Sequence, residues 1–128
     1  MTSPEINLYV AWGGIFAGFL AGMIQGMFFH DENWLGGYGS WRRRMTRLGH
    51  ISFFGIAIVN FAYFFSIKTG AMPDPGQWPS ILLVVGHVTM PLVCYLSAFR
   101  KPVRHFFAVP VVSLLLALVI FFVKGLSV

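Results

Sequence analysis

Residues 8–29 read LYVAWGGIFAGFLAGMIQGMFF, a stretch without a single charged side chain. A helix needs about 20 such residues to cross the hydrocarbon core of a bilayer, so this one stretch already places the chain in a membrane. Within it, Gly14, Gly18, Gly22 and Gly26 stand four apart, and His30 occupies the next rung. Each rung advances about 40° around a helix, which puts all five positions on one gently curving ridge. Glycine weakens a helix in water, but in lipid it lets another backbone or a flat ring approach closely. Gly14, Gly18, Gly22 and Gly26 are therefore expected to form a docking face, for the chain's own helices or for a partner subunit. Ala17 and Ala21 widen that smooth strip.

The rest of the chain agrees. Of 128 residues, 57% are hydrophobic and only 10% charged, against roughly 25% charged in soluble domains. Four stretches are long and apolar enough to span: 8–29, 48–67, 80–99 and 105–123. They imply an all-α membrane protein, a single integral membrane domain over residues 1–128. Its four transmembrane helices are expected in an up-down antiparallel bundle, because the connections are short. Pro73, Pro75, Gly76 and Pro79 mark the second connection as non-helical, while Ser40 to Arg47 suits an inward extension of the second helix. Met1 to Asn7 carries Glu5 and no basic region, so the first stretch is expected to remain as a helix rather than be cleaved as a signal. Cys94 is the only cysteine, which excludes an intrachain disulfide.

The net charge of +5 does not point to nucleic acid, because the cations are clustered between apolar stretches. Arg42, Arg43, Arg44, Arg47, Arg100, Lys101 and Arg104 fall at the first and third connections, and Lys68 and Lys124 at the other side. The positive-inside rule then makes loops 31–47 and 100–104 cytoplasmic and puts both termini on the non-cytoplasmic side. A bacterial inner membrane is the expected location.

The imidazoles are the candidate chemistry. Measured from span midpoints, His50 and His105 lie about 13 and 14 Å toward the basic side, with His30 slightly beyond them. Two histidines on facing helices can clamp a porphyrin, and guanidinium groups such as Arg47, Arg104 and Arg44 pair with propionates. The sequence names no cofactor; haem b is the one this level would suit, and a quinone contact is the other reading. His87 lies apart, near the midplane, at nearly the depth of Asn60. The simpler reading of that pair is an interhelical hydrogen bond, and the sharper one an axial ligand or quinone contact. Phe53, Phe54, Phe61, Phe64 and Phe65 are expected to fill the bundle interior. The fourth span is expected to face lipid or an apolar partner.

No carboxylate lies in an apolar span, and no phosphate loop or nucleophile elbow is present. A dedicated metal site and a catalytic activity of the chain's own are not expected. Two functions remain. The first is a small non-catalytic subunit of a larger membrane complex, such as an electron-transfer or respiratory assembly, packing through its glycine ridge. The second is a b-type haem-binding or quinone-reactive anchor that uses the histidines of the basic side.

Overall fold

The computed structural model describes residues 3–127, and among these there are helices and turns but no strand. The long helices are α1 (Ser3–Gly26), α2 (Trp41–Lys68), α3 (Gln77–Phe99) and α4 (Ala108–Leu126). Two 3-10 segments, Trp34–Gly36 and Lys101–Phe107, lie in the first and third connections. Among the described residues, four helices are long and apolar enough to cross a membrane, the last of them counted with the 3-10 segment that leads into it.

The helix ends follow local chemistry and depart from the ends of the apolar stretches. Pro4 and Glu5 suit the first turn of α1, where a missing N–H does no harm and a negative charge meets the positive helix end. That helix stops at Gly26, short of Phe29, and the chain continues in tight turns closed by Phe28 N–H to Gln25 O at 3.0 Å and Asp31 N–H to Phe28 O at 3.1 Å. His30 therefore lies beyond the helix, exposed in a turn, and is not a fifth rung of the ladder. Helix α2 begins at Trp41, ahead of the apolar stretch, because the Ser40 hydroxyl caps it by accepting from the Arg43 N–H at 3.2 Å. Gly70, at φ 76°, follows its end. Arg100 is extended, at φ −131° and ψ 93°, which ends α3, and Pro102 then suits the first turn of the 3-10 segment that leads into α4.

The backbone of α3 neighbours those of α1, α2 and α4, and α1 also lies along α2. Helix α4 leans on α3 and reaches α2 through side chains, the Tyr63 ring meeting Phe121 edge-on at 5.0 Å. Register between α1 and α2 is fixed at several points: Asn7 meets Asn60, Gly14 meets Phe53, and Gly22 meets His50. Partner numbers in α2 fall as those in α1 rise.

Small and polar residues fill the interior. Ala11, Ala57, Cys94 and Ala117 are fully buried, as are Asn7, Asn60, Ser80 and Ser97. The large apolar side chains mostly face outward, among them Trp12, Phe16 and Phe19 on α1 and Leu115, Val119 and Phe122 on α4. The phenylalanines of α2 do not form the core: Phe53, Phe54, Phe61 and Phe64 are half-buried and Phe65 is exposed. In lipid there is no hydrophobic drive to bury them, and close helix packing selects small residues instead.

Candidate functional site

The buried residues of α1 are Pro4, Asn7, Ala11, Gly18 and Gln25, with Gly14 and Gly22 half-buried on the same side. This is a seam with steps of three and four, whose mean spacing keeps one face turned to its neighbours. A strict step of four drifts by about 120° between Gly14 and Gly26. Gly26 has accordingly left the seam: a Cβ placed there would meet nothing within 4 Å. The other three rungs each receive a side chain. At Gly14 a Cβ would overlap the His87 imidazole; at Gly18 it would meet the Phe54 ring at 2.7 Å, and at Gly22 the His50 Nε2 at 2.7 Å. The flat rings that the ladder accommodates thus include the chain's own imidazoles.

His87 sits at the end of a buried chain of hydrogen bonds linking α1, α2 and α3. The Ser80 hydroxyl lies between the Ser3 carbonyl, at 2.7 Å, and the Asn7 side-chain oxygen. The Asn7 amide donates to Asn60 Oδ1 at 2.7 Å and to the Ser80 carbonyl at 3.3 Å. The Asn60 amide then donates to the Ile56 carbonyl at 3.0 Å and lies 3.4 Å from His87 Nδ1. An amide N–H can only donate, so Nδ1 accepts, and Nε2 carries the proton it donates to the Phe53 carbonyl at 3.0 Å. Both ring nitrogens are engaged within the chain. The Asn60–His87 pair expected from depth is present, and Asn7 and Ser80 extend it.

Closer to the basic end, the Gln25 amide donates to the Tyr95 hydroxyl at 2.6 Å. His50 is half-buried, stands edge-on to the Phe54 ring at 5.4 Å, and makes no hydrogen bond within the described chain. His105 is exposed on the segment Lys101–Phe107, which neighbours α3 and α4, whereas His50 faces α1. Among the described residues, no three of His, Cys, Asp and Glu gather as metal ligands.

The arginines divide by task. Arg43 is buried, donates to the Asp31 and Glu32 carbonyls at 3.5 and 3.3 Å, and lies over the Phe29 and Trp34 rings. It folds the first connection back onto α2. Arg47 donates to the Tyr38 carbonyl at 2.8 Å with its guanidinium 4.0 Å from that ring's centre, and Arg104 donates to the Lys101 carbonyl at 3.1 Å. The two proposed propionate contacts thus each make one bond to the local backbone and keep further N–H groups free. Trp41 ties the start of α2 to the end of α3, donating its indole N–H to the Ser97 carbonyl at 2.7 Å.

Sequence reasoning missed Asn7, placed outside the first span, and the pairing of Gln25 with Tyr95. The signal for both was available: 7, 11, 14, 18, 22 and 25 continue one seam, and its two amides sit at either end. No protein-family model matches the chain, and neither a curated protein nor a solved structure matches it.

Proposed function

We propose that this chain is a small non-catalytic subunit of a larger membrane assembly of the electron-transfer kind, seated in a bacterial inner membrane. The observation that carries this reading is how the central polar groups are used. Asn7, Asn60, Ser80 and His87 satisfy one another and nearby carbonyls, which is the work of groups that fix helix register. Function then belongs to the outer surface. There Gly13, Gly26 and Gly55 leave open space, and large apolar side chains such as Trp12 and Phe16 stand exposed, a relief into which another subunit's helices can pack. The descending register of α2 along α1 supports an up-down antiparallel arrangement. The concentration of cations at one end supports cytoplasmic loops at 31–47 and 100–104, with both termini outside.

A second reading rests on His50, whose ring nitrogens have no hydrogen-bond partner among the described residues although the ring lies in the α1–α2 seam. It makes the chain a haem- or quinone-binding anchor, with His105, His30 and the Arg47 and Arg104 side chains as further contacts. Extraction in mild detergent followed by oxidised and dithionite-reduced spectra separates the two. The subunit reading expects fixed-ratio copurification with larger membrane proteins and no reduced α-band that depends on His50. An α-band abolished by His50→Ala would establish the anchor instead. A spectrally silent, stable monomer would sink both.

A further inference from the structure

We infer that the hollow between the start of α2 and the end of α3 is a headgroup site for an anionic phospholipid. The hollow measures about 420 Å³ and is bounded by Gly36, Ser40, Trp41, Arg42, Phe99 and Lys101. Three features of its wall suit a phosphate diester. Arg42 and Lys101 enter it from different elements, and among the described residues neither side chain has an ion pair or hydrogen bond. Both are held by aromatic faces instead, Lys101 with its Nζ 5.3 Å from the Trp41 ring centre and Arg42 with its guanidinium 5.9 Å from that of Phe99. The third feature is the first turn of α2 itself. Its first intrahelical bond is Arg44 N–H to Ser40 O at 3.0 Å, and the Arg43 N–H is taken by the Ser40 hydroxyl. The Trp41 and Arg42 N–H groups therefore precede the ladder, at the positive end of a long helix.

Charge alone would serve a free anion equally well. The surroundings favour an amphiphile. Phe99 and Phe106 are 61% and 62% exposed, and a second hollow of about 390 Å³ adjoins the first across Phe99 and Lys101, along Arg100, Pro102, Val103 and Phe106. Cations thus border an apolar surface at the end of the bundle, where a phosphate and the upper acyl chains of one lipid meet the two at once. The acidic residues nearest in sequence, Asp31 and Glu32, form no ion pair with these cations. Of the nearby cations, Arg43 is turned to the first connection and Arg47 gives it one bond, while Arg42 and Lys101 are the two that line the hollow, with no hydrogen bond or ion pair of their side chains among the described residues.

The test uses the purified full chain in a zwitterionic detergent, with native mass spectrometry against dioleoylphosphatidylglycerol and dioleoylphosphatidylcholine. One retained phosphatidylglycerol per chain is expected, in preference to phosphatidylcholine. Affinity should fall about fivefold for each charge removed in Arg42→Gln and Lys101→Gln. Lys124→Gln, at the other end of the bundle, should change nothing. Equal retention of both lipids, equal loss in Lys124→Gln, or unchanged binding in the Arg42→Gln/Lys101→Gln pair would overturn the site. Displacement of the lipid by inorganic phosphate at matched concentration would overturn the lipid as its occupant. Should the double variant fold poorly by circular dichroism, a salt titration of the unmodified chain decides: retention must weaken as salt rises, and salt-independent retention refutes the proposal.

Discussion

The α1–α2–α3 seam and the α3–α4 seam join long apolar helices by different means. In the first, Asn7, Asn60, Ser80 and His87 bond across three helices, and glycines let rings lie against the α1 backbone. In the second, Leu114 fills the notch at Gly86, and Tyr63, Leu83 and Ala117 pack with Phe121 in an apolar cluster. Lipid offers no hydrophobic drive to either, so both depend on close contact, but only the first adds directional bonds. Directional bonds fix a helix along its axis and about it. Apolar contact fixes distance and tolerates sliding. The polar seam is thus the part that specifies the register of the bundle, and the apolar seam the part that yields.

Substitutions at Gly14, Asn60 and Gly86 probe this contrast. Gly14→Ala should have the largest effect, because its Cβ would overlap the His87 ring and crowd the Phe53 carbonyl at 3.2 Å. A loss of about 1–3 kcal/mol is expected, as for overpacking elsewhere. Gly13→Ala, one residue away with nothing within 4 Å, should be neutral in the same thermal or denaturant unfolding in micelles. Equal losses at 13 and 14 would mean that helix backbone, and not the His87 contact, sets the cost. Asn60→Leu comes next. It strips the Asn7 amide of one acceptor and His87 Nδ1 of its donor, for roughly 1–2 kcal/mol. An unchanged melting temperature would show that the polar chain contributes nothing net. Gly86→Ala should be the mildest of the damaging changes, under about 1 kcal/mol. The atoms it meets are the branched end of Leu114, free to change rotamer beside a half-exposed face. A loss matching that at Gly14 would reverse the assignment of the rigid and yielding seams.

Four helices long and apolar enough to span a membrane were legible from the sequence because length and charge depletion are properties of a window, independent of neighbours. The inside of the bundle was less so. Gly14, Gly18 and Gly22 were visible as a close-packing face, but the eye follows the strict step of four to Gly26 and His30. The packed seam instead alternates threes and fours and ends on Gln25. Asn7 stands one residue ahead of the apolar stretch 8–29, so a reading by span length leaves it out. Its partners, Asn60 and Ser80, lie on other helices, which no local pattern announces. Arginines 42, 43 and 44 are identical as letters. Only the path of the first connection decides that Arg43 turns inward to the Asp31 and Glu32 carbonyls while Arg42 turns to the hollow beside Phe99.

Asn7 also has a consequence in time. Its side chain emerges from the ribosome with the first span, but its acceptor Asn60 follows 53 residues later and its Ser80 contacts 73 residues later. At roughly 5–20 residues per second, that leaves about 4–15 s in which a buried-type amide stands in or near lipid without its final partners. During biogenesis the hydrogen bonds that set the register of α1 therefore close only once α3 has been made.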